Sequence, residues 1–130
     1  MTLIDTSAWV EYLRDGDPAV ADAVERLLDS GEAEITEPVV MEILQGGRTE
    51  AHVRQLKGLL WTARLMPVEG RDYGEAAFLY RLCRANGETV RSSIDCLIAA
   101  VAVRTQLPVL HHDKDFDALA RHTPLVAHRG

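Results

Sequence analysis

The chain has 130 residues, of which 47% are hydrophobic and 26% charged, and its formal net charge is -6 at pH 7. This composition is ordinary for a soluble globular protein, and the length predicts one domain over residues 1–130. The negative charge argues against a protein that wraps nucleic acid through electrostatics alone. It does not exclude a nucleic-acid enzyme, because carboxylates that gather to bind divalent cations make the formal charge misleading.

Cys83 and Cys96 are the only cysteines, and neither has metal-ligand spacing to another Cys or His. Both lie in apolar stretches, which favours buried thiols in a reducing compartment over a disulfide. The chain begins with strand-like residues rather than a basic and then apolar signal region, and no apolar run approaches the ~20 residues of a membrane span. We therefore expect a cytoplasmic protein without a membrane contact.

In chain order, short strand-like segments alternate with helical periodicity. Strands are predicted at 3–4, 33–36, 65–68, 107–111 and 125–127, and helices at 8–14, 18–30, 39–45, 49–63, 71–85, 94–106 and 113–121. The helix at 94–106 is apolar almost all round, which predicts an interior position. This alternation predicts an α/β fold in which a parallel sheet is flanked by helices on both faces.

The first predicted strand ends in Asp5, and the next two residues, Thr6 and Ser7, are suited to cap a helix. If this strand lies inside the sheet, Asp5 projects at its carboxyl end, where α/β folds place their ligands. The alternative is that Asp5 only forms the strand-to-helix turn.

Two further acidic residues stand in apolar helices. Glu42 follows the apolar residues Val39, Val40 and Met41, so its carboxylate is expected at the edge of apolar packing. The alternative is that Glu42 lies on the single solvent-facing stripe of a short helix. Asp95 lies in the most apolar helix, where a charge without a partner is costly. With Ser92 as the N-cap, Asp95 is also at the third helical position, so a capping box is its structural alternative, and one carboxylate can serve both roles.

A second acidic strand end follows residues 107–110, at Asp113, Asp115 and Asp117. Their spacing resembles the start of a calcium loop, but Ala118 and Pro124 occupy the positions where that loop needs Gly and Glu, so this motif is excluded. Asp113 also suits the N-cap of the helix that it precedes, and Asp117 is expected to face solvent.

The neighbouring His111 and His112 do not predict a zinc site, because no third ligand has convincing spacing. An oxygen-rich ligand set suits magnesium or manganese better. We expect these histidines to be exposed or to tune the site.

Asp5, Glu42, Asp95 and Asp113 thus come from two strand ends and two helices of one domain, with few cations nearby in sequence. A divalent cation is the simplest means of holding such carboxylates together. It would lower the pKa of a bound water and stabilise charge on a phosphodiester during attack. Phosphatases with an Asp after the first strand need a second Asp where this chain has Ser7, so this class of enzyme is disfavoured. No Gly-x-Ser-x-Gly, Cys-His or phosphate-loop pattern is present, which agrees with a reaction that needs no dedicated nucleophile.

The order and spacing of four short motifs resemble PIN-domain ribonucleases, specifically VapC-type toxins of bacterial toxin–antitoxin pairs. These motifs are residues 4–9 (IDTSAW), 38–42 (PVVME), 95–100 (DCLIAA) and 113–116 (DKDF). The resemblance implies a five-stranded parallel sheet, a homodimer, RNA cleavage that depends on magnesium or manganese, and a small VapB-like antitoxin that blocks the site.

The resemblance also assigns site residues. It implies a catalytic, metal-binding quartet of Asp5, Glu42, Asp95 and Asp113, a further metal-site acid at Asp115, and a pocket at Thr6 and Ser7. The chain departs from the family pattern at His112, where many relatives carry a small polar residue, so His112 in this pocket either tunes the site or contacts substrate. A basic rim at Arg14, Arg48 or Arg91 would contact RNA. The alternatives are a PIN-fold nuclease of RNA or DNA processing without an antitoxin, and a PIN-like scaffold that binds RNA or protein without cutting.

Overall fold

The centre of the molecule is a five-stranded parallel sheet with the strand order β3-β2-β1-β4-β5. A computed structural model describes all residues 1–130. The strands are β1 (Thr2–Ile4), β2 (Ala33–Ile35), β3 (Arg64–Leu65), β4 (Val109–Leu110) and β5 (Ala127–His128). Leu3 pairs with Glu34 on one side and Val109 on the other, so β1 is the middle strand. The predicted α/β fold with five parallel strands is confirmed.

Seven helices connect and flank the strands: α1 (Thr6–Leu13), α2 (Pro18–Ser30), α3 (Glu37–Gln45), α4 (Glu50–Leu60), α5 (Gly70–Ala85), α6 (Ser93–Thr105) and α7 (Lys114–His122). Helix α1 packs against α2 and α3, whereas α5, α6 and α7 pack against one another. Gly31 ends α2 in the left-handed conformation (φ 73°), which favours glycine. None of the seven combines the length and apolar character that crossing a bilayer requires.

Strands β3, β4 and β5 are shorter than the predicted ones or shifted relative to them. Strand β3 ends at Leu65 because Pro67 has no N–H to donate, and the N–H of Val68 bonds to the Glu37 carboxylate instead of a neighbouring strand. Strand β4 begins only after Pro108 for the same reason. Strand β5 lies at 127–128 rather than 125–127, since Leu125 turns into the core.

The core consists of 29 buried apolar residues, with Trp9 and Phe116 as its largest fully buried side chains. Helix α6 is buried on most of its surface, as its composition predicts. Cys83 and Cys96 are buried free thiols, and burial raises the pKa of Cys96 to about 12. This packing fixes the carboxyl ends of β1 and β4 and the start of α6, where the predicted acidic residues lie.

Candidate metal centre

Asp5 leaves the carboxyl end of β1 and caps α1. Its Oδ2 accepts hydrogen bonds from the Ser7 backbone N–H (2.9 Å) and the Ser7 hydroxyl (2.6 Å). The other oxygen, Oδ1, is buried without a partner, and the residue is 2% exposed. Burial, with a smaller contribution from the charge of Glu42, raises the pKa of Asp5 to about 6 even though the hydrogen bonds from Ser7 lower it. Asp5 therefore forms the strand-to-helix turn and still has one oxygen free for a ligand.

Asp95 is the third residue of α6, as predicted, and its N–H donates to the hydroxyl of the N-cap Ser92 (3.4 Å). The reciprocal half of a capping box is absent, because the Ser92 N–H donates to Asp115 (3.3 Å) instead. The Asp95 carboxylate is 7% exposed. Burial, repulsion from Asp5 and the neighbouring Asp115 carboxyl group raise its pKa well above the usual range. Because Asp115 binds the Ser92 N–H in place of Asp95, the Asp95 carboxylate is available to bind a ligand.

Asp113 and Asp115 lie at the start of α7, directly after β4. Asp113 is the N-cap, and its Oδ1 accepts the N–H of Asp115 (2.9 Å). Asp115 is buried and accepts the N–H groups of Arg91 (3.2 Å) and Ser92 (3.3 Å). Backbone donors from the loop before α6 therefore hold Asp115 beside Asp95.

Asp95, Asp113 and Asp115 form one compact cluster, in which one carboxylate oxygen of each lies within 4.8 Å of the others. The nearest cation is Arg91, whose Nε is 4.0 Å from Asp115; Asp5, Asp95 and Asp113 have no ion pair. Carboxylate oxygens without a cation of their own are the ligand type that Mg²⁺ and Mn²⁺ prefer. Together with the unpartnered Oδ1 of Asp5, this donor set fits a divalent cation.

Glu42 lies outside this compact cluster. It is half-buried, and its Oε1 accepts a short hydrogen bond (2.6 Å) from the Thr6 hydroxyl, which fixes it near Asp5. The predicted quartet is therefore arranged unequally. Asp95 and Asp113 are joined by Asp115, Asp5 is adjacent, and Glu42 is at the edge.

Ser7 connects the two strand ends. Its hydroxyl donates to Asp5 and accepts the backbone N–H of His112 (2.8 Å). The His112 ring faces the turn between α1 and α2, with Nε2 3.4 Å from Glu11 and Nδ1 3.9 Å from Asp17. His112 thus reaches the site through its backbone, whereas its ring contacts other residues.

Glu11 was missed by the sequence analysis, and His111 was predicted either to be exposed or to tune the site. His111 is buried rather than exposed, and its Nδ1 accepts the N–H of Asp113 (3.2 Å), so it orients a member of the cluster. Burial lowers the pKa of His111 to about 4, which keeps the ring neutral. Glu11 is buried and holds Arg14 at 2.6 Å, so Arg14 is less available to RNA than predicted. The position of His111 directly after a buried strand was the available signal.

The sequence model of the PIN-domain family matches residues 2–122 of the chain. Ribonuclease VapC11 of Mycobacterium tuberculosis is 45% identical over 130 residues, which cover 98% of this chain and 97% of that protein. Two solved structures share the fold. VapBC2 from Rickettsia felis, bound to a DNA fragment from its promoter, has a TM-score of 0.78, 16% identity and coverage of 98% of this chain and 96% of that one.

The second is VapBC-5 from M. tuberculosis, a member of the VapBC family of toxin–antitoxin systems. It has a TM-score of 0.71, 24% identity and coverage of 99% of this chain and 98% of that one. The whole-length match at 45% identity establishes what the motif order indicated. The chain belongs to the PIN-domain family and, within it, to the VapC ribonucleases.

Proposed function

We propose that this protein is a metal-dependent endoribonuclease and the toxin of a toxin–antitoxin pair. The observation that carries the proposal is the cluster of the buried Asp95 and Asp115 with the half-buried Asp113 beside Asp5, where the single nearby cation is the exposed Arg91, 4.0 Å from Asp115. A folded protein retains such mutual repulsion at a cost in stability, which a bound divalent cation would remove. The membership among VapC ribonucleases supports RNA as the substrate.

Asp95, Asp113 and Asp115 would hold the cation, with Asp5 completing the ligand set through its free Oδ1. When bound, Mg²⁺ or Mn²⁺ activates a water and neutralises charge on the phosphodiester. The chain supplies the geometry. Ser7 and His111 fix the orientations of Asp5 and Asp113, and two backbone N–H groups fix Asp115.

Glu42 is the candidate for proton handling at the edge of the site. The bond from Thr6 occupies Oε1, and Oε2 makes no recorded hydrogen bond, so one oxygen is free to accept or release a proton. We propose Glu42 as the general base or acid of the reaction and Thr6 as the residue that positions it.

The test is cleavage of a mixed RNA pool by the purified protein in magnesium, in manganese and in EDTA. Asp95→Asn should lower the cleavage rate by more than about 100-fold, since even residues that only support metal ligands commonly cost 10- to 100-fold. Asp22→Asn is the matched control, because Asp22 is an exposed residue of α2. Cleavage that survives Asp95→Asn or EDTA would refute the proposal.

The partner of this chain is proposed to be a small VapB-like antitoxin, which would inhibit the cleavage. A solved neighbour is described as a toxin–antitoxin system, which supports this kind of partner. Co-expression with the product of an adjacent small reading frame should give a stable complex with suppressed RNA cleavage. Active nuclease without such a partner would favour a processing enzyme, and RNA binding without cleavage would favour a scaffold.

We also propose that two copies of the chain associate through an apolar groove between α5 and α6. This groove encloses about 620 Å³ and is lined by Tyr73, Ala77, Tyr80, Ile94 and Leu97, among others. Tyr73 is 63% exposed, although its ring is large and apolar. Tyr73→Arg should shift the mass in light scattering from dimer to monomer, whereas Trp61→Arg, at a 65% exposed position outside the groove, should not.

A further inference from the structure

A cationic groove adjoins the acidic cluster at the start of α7. It encloses about 280 Å³ and is lined by Glu88, Thr89, Arg91, Lys114, Asp115, Ala118 and Arg121. Asp115 belongs to both the groove and the cluster, so the two are continuous. We call this cavity the Arg91–Lys114 groove.

The charges of this groove are only partly compensated within the protein. Arg121 is neutralised by two contacts with Glu88. Lys114 is exposed and makes no ion pair, and Arg91 is 73% exposed with its Nε at the outer limit of a salt bridge with Asp115. The groove therefore presents two available cations in a protein whose net charge is -6.

These two cations contribute little to the fold. Lys114 is the first residue of α7 and Arg91 directly precedes the N-cap of α6, and positive charge near a helix N-terminus is unfavourable. The contact that holds Asp115 comes from the Arg91 backbone N–H and not from its side chain. Folding thus gives no reason for cations at these two positions, whereas an anionic ligand does.

We infer that the Arg91–Lys114 groove binds a backbone phosphate of the RNA substrate beside the scissile bond, with Arg91 and Lys114 as positioning residues. The inference rests on the proposed ribonuclease function. The groove offers two cations and the Thr89 hydroxyl but no aromatic ring on which a base could stack. It therefore contacts the sugar–phosphate chain without reading sequence.

The experiment measures binding of a fluorescent, mixed-sequence single-stranded RNA by anisotropy over a range of salt concentrations. All proteins carry Asp95→Asn so that the RNA stays intact. Arg91→Gln and Lys114→Gln should each weaken binding about three- to fivefold, as for an exposed charge pair, and lower the slope of log K against log salt by about 0.7. Arg91→Lys should restore most of the affinity.

Arg26→Gln is the matched control, since Arg26 is an exposed cation that lines a different cavity, with Thr2 at the opposite end of β1. An unchanged affinity and salt slope in the Arg91→Gln/Lys114→Gln double variant would overturn the inference. An equal loss in Arg26→Gln would also overturn it, because the effect would then reflect net charge alone.

Kinetics separates this inference from the proposed function. In the protein with an intact acidic cluster, the groove variants should raise KM for RNA with little change in kcat. A fall in kcat at constant KM would assign Arg91 to the support of Asp115 and overturn the phosphate role. Absence of cleavage by the parent protein would instead refute the nuclease, and the binding experiment would still decide the groove.

Discussion

Asp72 and Asp95 are each the third residue of a helix, in α5 and α6, and both are buried, yet their surroundings differ in kind. Asp72 completes a capping box by accepting the N–H of Glu69 (2.7 Å), and it accepts two further bonds from the Arg104 guanidinium (2.8 and 2.9 Å). Burial alone would raise the pKa of Asp72, but these bonds hold it below its usual range. Asp95 has no cation, and neighbouring carboxylates raise its pKa.

The difference shows how one residue type at one helical position can serve stability or ligand binding. At Asp72 the chain provides the compensating charge, and the Arg104 guanidinium also reaches Glu69 (3.2 Å) and the carbonyl of Pro67 (2.9 Å). Around Asp95 the chain provides three other acidic groups and no compensating cation. The first arrangement stabilises the protein without help, and the second would be stabilised by the cation that we propose it binds from solution.

The largest effect on stability is expected at the compensated site. Arg104→Met leaves Asp72 buried without its partner and should lower the free energy of unfolding by about 3–5 kcal/mol in urea denaturation. Arg71→Met is the control, since its ion pair with Glu69 is exposed and worth less than about 1 kcal/mol. Equal losses in the two variants would contradict the comparison.

Removing a repelling carboxylate should have the opposite sign. Folded Asp5 keeps its proton up to about pH 6, whereas the ordinary pKa is 3.8, so the metal-free protein loses stability as the pH rises from 3.8 to about 6. Asp5→Asn avoids this loss and should be more stable than the parent by up to about 3 kcal/mol above pH 6. The advantage should disappear near pH 4.

The stability of the variant must be compared with that of the parent at each pH, because His111 gives the stability the opposite pH dependence. Its folded pKa of about 4 lies below the ordinary 6.5, so its contribution to stability is lost as the pH falls from 6.5 to 4. Both proteins contain His111, and its effect cancels in the difference. An Asp5→Asn advantage that is constant with pH would contradict the proposed repulsion.

A bound cation should stabilise the parent by a comparable amount. At a magnesium or manganese concentration of about 100 times the dissociation constant, the free energy of unfolding should rise by about 2.7 kcal/mol. Thermal unfolding in EDTA and in metal measures this, and Asp113→Asn should lose most of the response. The Arg104→Met variant is less stable, but metal should raise its free energy of unfolding by the same amount as in the parent. Loss of this increase would show that the two regions are coupled.

The smallest effect is expected at Ser7. Ser7→Ala removes the bond to Asp5 and leaves the His112 N–H without its acceptor, which should cost about 1–2 kcal/mol of stability. RNA cleavage should fall about 10- to 100-fold, as for other residues that orient metal ligands. Ser7→Thr keeps the hydroxyl and should retain most activity; a Thr variant as impaired as Ala would refute the role of the hydroxyl.

Local sequence pattern was sufficient for much of this architecture. Asp5 and Asp113 could be placed because each follows a short apolar strand, and parallel strands bring their carboxyl ends to one edge of the sheet. Asp95 stood out because its helix is otherwise apolar. The resemblance to VapC toxins then supplied the metal-site role of Asp115 and the number of strands in the sheet.

Long-range contacts account for what the sequence did not reveal. Asp115 is held by N–H groups more than 20 residues away, so its spacing alone could not show that it replaces Asp95 in the capping box. The roles of His111 and Glu11 likewise depend on which side chains surround them. Strands β3 and β4 were predicted too long because prolines 67 and 108 remove ladder donors at positions that look apolar and extended.

The pairing of β1 with β4 has a consequence for synthesis of the protein. Leu3 and Ile4 lie against Val109 and Leu110, so the strand that leads into Asp5 is flanked on one side by a strand that is synthesised more than 100 residues later. Such non-local parallel pairing forms late in folding. The acidic cluster cannot assemble until α7 has emerged from the ribosome, so a nascent chain that stops before Asp113, the N-cap of α7, lacks two of the three clustered carboxylates.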